Sequence, residues 1–473
     1  MTTKFNKKRL FASALLCSLV SAPAFATNWL MLQGTEPEGT APRAKAWGFI
    51  QTTYQQNTSD KNIDPAGAGY APPALVGPNL TSQSQFNVFR ARIGLRGTGF
   101  PLDDKVNYFF LAEFGNNAIT TPGNGNAYIS DASITLNQIP GARVRVGLFK
   151  TPSSEEGLQG IATFDYVNFT TVTNQLLLER IPNQVNPGTT DTTTTPSIVT
   201  NTLDGPNSTA LPTTADTLNR FDAPVSAFRD VGIQVFDTFA VNSWEHSYAV
   251  MVGNGNGTNF GDNDNKKDLY LYWSSELVGA GKGPFRQGLK MFVWSQTGKR
   301  LLDNTLDGTY NPTEFKRDRS GLGVKWLTSR FRVTAEYMKG KGMIFVGPNK
   351  PSFWVTTNGG PNKNVSLGDG ATGKANGHYL EGGYFIPNSD WEVDARYDVY
   401  NRLAGDKMET DFKNFTLGAE YHFNKKTRLV MNATKMKANA PEFPTSGPAP
   451  KQGPNAVLSG LKNLYAIQLT HIF

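Results

Sequence analysis

The chain has 473 residues, with 46 Lys and Arg against 39 Asp and Glu, a net charge of +7 and a single cysteine. One cysteine excludes a disulfide scaffold and the common Cys-based zinc and haem motifs, and 11% aromatic residues is too many for a disordered or collagen-like chain. No apolar run reaches the ~18 residues of a membrane-spanning helix, which excludes a helical bundle in lipid.

Residues 1–26 read as an export signal. Lys4, Lys7, Lys8 and Arg9 form a basic head, Leu10 to Val20 an apolar stretch, and Ala24-Phe25-Ala26 a small-x-small cleavage site. The apolar stretch is too short to span a bilayer, and Leu16 stands before Cys17 where a lipoprotein signal needs a small residue. Cleavage would start the mature chain at Thr27, remove the only cysteine and lower the net charge to +3. Residues 27–43 are then expected as a periplasmic N-terminal segment and 44–473 as one β domain.

From residue 44 the pattern is one of short alternating segments without an amphipathic helix. It predicts strands over 44–56, 86–98, 105–115, 127–137, 142–151, 230–239, 244–253 and 267–277. The second half adds 288–298, 317–327, 331–341, 377–386, 391–401, 411–423, 427–437 and 463–473. Most are about ten residues long, the length a tilted strand needs to cross a bilayer. Connections alternate in length: 138–141, 240–243, 328–330, 387–390 and 424–426 are short, whereas 57–85, 152–229, 254–266, 299–316, 342–376 and 438–462 are long and polar. Long loops gathered at one end and short turns at the other fit a transmembrane barrel with periplasmic turns and external loops.

Alternation within strands agrees. Phe89, Ala91, Ile93 and Leu95 oppose Arg90, Arg92 and Arg96; Val144, Val146 and Leu148 oppose Arg143 and Arg145. Trp391, Val393, Ala395, Tyr397 and Val399 oppose Glu392, Asp394, Arg396 and Asp398. Aromatics gather where short turns meet strands, at Trp244, Trp326, Phe331, Trp391, Phe423 and Phe473, the place for an interfacial girdle. The expected fold is all-β, a closed antiparallel barrel of about sixteen strands in contact with outer-membrane lipids, which leaves no edge strand and satisfies every backbone group in lipid.

The last residues, Asn-Leu-Tyr-Ala-Ile-Gln-Leu-Thr-His-Ile-Phe, place Tyr465, Ile467, Leu469 and the terminal Phe473 on one face, with His471 interrupting it. This resembles the C-terminal signal of Gram-negative outer-membrane proteins, which implies the barrel-assembly machinery as a partner. Three internal stretches go further: Phe89 to Gly97, Val144 to Pro152 with Ser153, Ser154 and Glu155, and Arg229 to Gln234 with Tyr248 to Gly257. In order and spacing they resemble the phosphate-selective porin O and P family of Gram-negative outer membranes. The resemblance implies a sixteen-stranded homotrimeric porin whose long third loop, here 152–229, folds into the lumen. It also implies an arginine ladder that draws anions inward.

Arg90, Arg92, Arg96, Arg143 and Arg145 are the candidates for that ladder, with Arg319 and Lys325 on one face of the tenth strand. Guanidinium rows in a confined pore concentrate anions through a focused potential and match carboxylate or phosphate oxygens. Against phosphate, no Lys occurs from 151 to 265, and loop 152–229 carries more acids than bases. Asp165, Glu179 and Arg180 are the constriction candidates, in a segment from Ile161 apolar enough to dock on the inner wall. Glu392, Asp394 and Asp398 form an acidic wall opposite the arginines. The stretch 188–217 holds twelve Thr and reads as a flexible polar insert.

His246, His378, His422 and His471 are scattered, with no catalytic or metal spacing among them. The Gly/Asn/Asp run at 253–265 lacks the acidic spacing of an EF-hand. No cofactor, metal, enzyme activity or nucleic-acid partner is therefore expected. The functional expectation is a passive channel for small hydrophilic solutes with a modest anion preference, phosphate among them; the alternative is a non-transport barrel serving as adhesin or scaffold.

Overall fold

Period-two alternation over segments long enough to pair leaves each strand with one face for apolar surroundings and one for polar ones. Sixteen such strands fold here into one closed sheet. The computed structural model describes residues 28–36, 41–60, 84–99, 105–117, 119–120, 127–178, 228–258, 261–262, 265–281, 285–303, 312–344, 373–406, 409–442, 455 and 458–473. The export signal 1–26, Glu179, Arg180 and the Thr-rich stretch 188–217 lie outside the described residues.

The strands are β1 Lys45–Asn57, β2 Ser84–Thr98, β3 Val106–Glu113, β4 Tyr128–Leu136, β5 Arg143–Lys150, β6 Arg229–Val241, β7 Trp244–Gly253 and β8 Asp268–Val278. They continue as β9 Gly288–Asp303, β10 Pro312–Leu327, β11 Phe331–Lys341, β12 Lys374–Phe385, β13 Trp391–Arg402, β14 Thr410–Asn424, β15 Thr427–Asn439 and β16 Asn463–Ile472. Each pairs antiparallel with its sequence neighbours, and β1 pairs with β16 to close the barrel. All sixteen expected strands are present. The largest difference is at β9 and β10, which run about five residues further into the expected loop 299–316. There the ladder is carried by polar cross-strand partners, Lys299 to Glu314 at 2.7 Å, so no apolar alternation marks it in the sequence.

Tight turns close one end. Asn242 and Asn388 adopt the left-handed conformation there (φ 55° and 57°), which a short polar side chain tolerates. At the point of closure Phe473 N–H donates to the Gly48 carbonyl at 3.0 Å. A Cβ at position 48 would come within 2.5 Å of the Phe473 ring, so glycine leaves the room in which the terminal aromatic lies.

Outward residues are apolar along nearly every strand, as in β13, where Trp391, Val393 and Tyr397 are exposed and Glu392, Asp394, Arg396 and Asp398 are buried. Tyr465, Ile467, Leu469 and Phe473 are likewise exposed on the outer wall. Trp326 meets Phe331 edge-on at 4.7 Å, and Tyr421 bridges Trp391 and Phe423 at 4.9 Å each, an aromatic cluster at the short-turn end. Several early strands depart from strict alternation, β2 and β5 among them. The β1–β2 register shifts between Gln51 and Thr52, opposite Arg90 and Val88, so Phe89 is the bulged residue. It is buried rather than sharing the exposed face of Ile93 and Leu95. In β5 the alternation breaks at Gly147 (φ 126°), after which Leu148 and Phe149 are both buried.

Among the described residues, two further pieces lie inside the barrel. Residues 28–36, expected as part of a periplasmic segment, form a short helix α1 (Trp29–Leu32) whose Trp29, Leu30 and Met31 are buried against the interior. The segment 151–178 after β5 carries α2 (Glu155–Leu158), a single 3-10 turn (Ile161–Thr163) and a π-helical turn (Thr173–Leu177). Its Leu158, Val172, Leu176 and Leu177 join Phe292, Trp294, Met338, Tyr379 and Phe412 of the inner wall in one apolar cluster. Burial of each such side chain stabilises by about 1.5–3 kcal/mol, which offsets the backbone cost of holding a loop inside the barrel.

Candidate functional site

The inner wall is where strand parity gathers charge, and almost every charge on it is partnered. Along β2, Arg92 Nε donates to Glu113 of β3 at 2.6 Å, and Arg90 donates to Gln51 Oε1 of β1 at 3.0 Å while lying over the Phe89 ring. Arg96 pairs with Glu36 of the N-terminal segment and donates to the Thr35 carbonyl at 2.9 Å. On β5, Arg143 pairs with Asp237 of β6. Arg145 donates to the Gln33 carbonyl and covers the Phe236 ring at 4.3 Å. Gln33 in turn donates to Asp131 of β4, which also receives Arg229 at 2.9 Å.

The five ladder candidates therefore do share one wall, but they differ in access. Arg92 and Arg145 are 6% and 1% exposed, and Arg90 is similarly dry. Arg96 and Arg143 are each 23% exposed. Both lie at the short-turn ends of their strands, as does the partly exposed Lys325 of β10. Arg319, on the same face of β10 as Lys325, is buried and donates to the carbonyls of Leu176 (3.1 Å) and Gly342 (2.9 Å). It holds backbone in place and is turned away from open solvent.

The acidic residues do the corresponding work across the barrel. Arg332 of β11 binds Glu392 at 2.7 Å, Asp394, and Asp165 of the inward loop at 3.0 Å. Asp398 accepts from Thr171 N–H at 2.8 Å. Arg396 reaches the Asn168 carbonyl at 2.9 Å and Arg428 the Phe164 carbonyl at 2.5 Å. The expected acidic wall of Glu392, Asp394 and Asp398 thus faces the docked loop and its guanidinium partners, and the loop lies between it and the early strands.

Glu155 sits at the tightest of these junctions. Lys290 and Lys325 are opposed across β9 and β10, a like-charge pair that repels unless neutralised. The Glu155 carboxylate lies between them, bonded to Lys290 and 3.2 Å from Lys325. Burial pushes this carboxyl up, but the two ammonium groups more than offset it and hold it below the usual carboxylate range. Its neighbour Glu156 goes the other way. Burial raises it, opposed only in part by Arg396 at 3.5 Å and by the Thr170 hydroxyl and amide. Ser154 Oγ accepts from Gly157 N–H at 2.9 Å and caps the short helix that presents both acids.

Sequence reading did not single out Glu36, Glu113, Asp131, Lys290, Arg332 or Arg428, and it quoted Glu155 and Arg229 only as members of motifs, without a role inside the barrel. The inward parity of most of these was legible; their partners, up to hundreds of residues away, were not. Glu392, Glu420 and His422 bring one ligand atom each within 4.8 Å, the group among the described residues closest to metal-ligand chemistry. Arg332 and Arg428 already neutralise its carboxylates, so the group balances charge within the wall.

No protein-family model matches the chain, and no curated protein matches it. The likeness to the porin O and P family thus stands on its sequence motifs. Among solved structures the chain is similar to a loop L8 deletion mutant of OmpT, an outer membrane protein of Vibrio cholerae, at 10% identity over 92% of this chain and 99% of that one (TM-score 0.49). It is similar to an anion-selective porin from Comamonas acidovorans at 14% identity, covering 92% and 100% of the two chains (TM-score 0.45). It is similar also to the outer membrane channel DcaP of Acinetobacter baumannii at 12% identity, covering 93% and 100% (TM-score 0.47).

Proposed function

We propose that the chain is an outer-membrane porin, a passive channel for small hydrophilic solutes with a modest preference for anions. The observation that carries this reading is the division of one closed sheet into an apolar outer wall and a charge-lined inner wall, with a loop docked inside. An apolar exterior on a closed barrel suits lipid, because no backbone group is left unpaired there. A polar interior narrowed by a fixed loop selects by radius and by lining charge. Anion preference rests on Arg96, Arg143 and Lys325, cations at one mouth that solvent reaches. The short-turn end faces the periplasm in this reading, and the subunits assemble as trimers.

The test is the reversal potential of the purified protein in a planar bilayer under a KCl gradient, repeated with phosphate as competitor. A potential of the sign expected for chloride, reduced in the Arg96→Gln/Arg143→Gln variant, supports the anion reading. Cation preference indifferent to that variant removes it while leaving a channel. Absence of any conductance from a correctly folded barrel removes the channel and favours a scaffold.

A further inference from the structure

Charge on the outer wall is unevenly distributed. On β1 to β8 and on β16, no described lysine or arginine faces outward in the half of the strand nearest the long loops. On β9 and β10, Lys299 and Lys316 do, but Glu314 and Asp318 neutralise them at 2.7 and 2.9 Å. On β11 to β15 the described lysines outnumber the described outward acids. Lys339 and Lys341 end β11, Lys374 begins β12, Lys413 lies near the start of β14, and Lys435 and Lys437 lie near the end of β15; all six are exposed.

The register sharpens this. Lys341 is directly opposite Lys374, and Lys413 directly opposite Lys437. Like charges in register destabilise a sheet unless something neutralises them. Among the described residues the outward acids beside them are Asp318, opposite Lys341 but already bound to Lys316, and Asp411 with its hydrogen-bonded neighbour Glu409, close to Lys413. Towards the short turns the same strands present Tyr337, Leu380, Tyr397, Phe415 and Leu417, an apolar belt directly below the lysines. Beside Lys339 the small residues Ser295 and Ser320 oppose one another among bulkier neighbours. They leave an outward groove of about 530 Å³ lined by Leu271, Val293, Leu322 and Tyr337, with Lys339 on its edge.

We propose that this arc is a binding site for a phosphate-bearing lipid of the leaflet on the long-loop side. The lysines hold the headgroup and an acyl chain lies in the groove. Ammonium groups bind phosphate as point charges and can rotate to meet it. An anionic headgroup between opposed lysines offsets their repulsion, and the apolar belt below meets the chains that a free anion lacks. The proposal rests on the reading that the barrel spans a bilayer.

The experiment uses the full chain in detergent, incubated with phosphatidylglycerol or phosphatidylcholine and examined by native mass spectrometry. Preferential retention of the anionic lipid is expected. It should fall roughly fivefold per lysine removed in Lys341→Ala/Lys374→Ala and in Lys413→Ala/Lys437→Ala, and persist in the corresponding Arg variants. Ser320→Trp, which fills the groove, should lower retention with the lysines intact. Equal retention of both lipids, or retention unaffected by the Ala variants, overturns the proposal. Displacement by excess inorganic phosphate as effective as by lipid headgroup overturns it too, in favour of a free-ion site. Each variant is also run unheated and boiled on a gel and tested for conductance. Loss of the heat-dependent shift in the unmodified chain defeats the barrel-in-membrane reading itself, whereas an intact shift with no lipid preference defeats only this proposal.

Discussion

Arg92 and Arg96 lie four residues apart on one strand face, and their different surroundings assign them different tasks. Arg92 is dry and salt-bridged to Glu113. Removing one partner of a buried pair leaves an uncompensated charge, so Arg92→Gln should destabilise the barrel by about 3–5 kcal/mol in denaturant unfolding while barely moving the reversal potential. Arg96→Gln should lower anion preference and cost less stability than Arg92→Gln, because Arg96 is partly open to solvent, which weakens its pairing with Glu36. Glu155 makes a third case. Its folded-state pKa lies below the ordinary 4.5, so its contribution is fully present above that value and is lost as pH falls through the lower folded value. Glu156 is raised, so its ionised form opposes folding and protonation on acidification relieves it. Loop anchorage at neutral pH therefore depends on Glu155. Stability of the wild type should hold at pH 7 and fall below about pH 4.5. Glu155→Gln, with Lys290 and Lys325 left to repel, should already be weakened at pH 7, as unfolding titrations across pH would show.

Among the described residues two elements lie inside the barrel, and arginines of the wall donate to backbone carbonyls of each. The inward loop is held by Arg319, Arg396 and Arg428 as well as by its apolar side chains. The N-terminal segment is held by Arg96 and Arg145 and by buried Trp29, over which the Lys325 ammonium lies at 5.7 Å. Deleting residues 28–36 should raise single-channel conductance, since the space they occupy opens to solvent. It should also lower stability, because Arg96 loses Glu36 and the apolar cluster loses Trp29, Leu30 and Met31. Unchanged conductance would mean that the segment lies outside the ion path. The apolar residues from Ile161 onward pointed to docking on the inner wall, but the inward fold of the N-terminal segment was not visible in local pattern: Trp29-Leu30-Met31 is too short to show a period, and nothing local tells a strand-edge tail from one folded back inside.

At the scale of the whole molecule, closure between β1 and β16 joins the two ends of the chain in one ladder. Gly48→Val, which would drive a side chain into the Phe473 ring, should impair that closure. On unboiled gels the variant should run with the unfolded form, and a normal shift would show that the contact is dispensable. Much of this architecture was readable beforehand. Strand boundaries agreed closely because a half-apolar strand declares itself every second residue. They diverged where polar pairs carried the ladder, at β9 and β10; at Phe89 and after Gly147 the alternation broke, and the face assignment changed rather than the boundary.

The amino-acid sequence by itself determined that the chain forms about sixteen strands, which side chains share a face, and that short and long connections alternate. Those properties follow from local periodicity and turn chemistry, which act over a few residues. Only the tertiary structure decided which charges remain open to solvent. The arginines on one face read as an exposed row, yet Arg90, Arg92 and Arg145 are enclosed by partners from other strands and from the N-terminal segment. The acids at 392, 394 and 398 read as a wall facing them, yet Asp398 binds the loop that lies between, and Glu392 and Asp394 bind Arg332, which reaches that loop at Asp165. Burial and ion pairing are set by which distant segments meet inside a closed barrel, and periodicity along one strand carries no record of that.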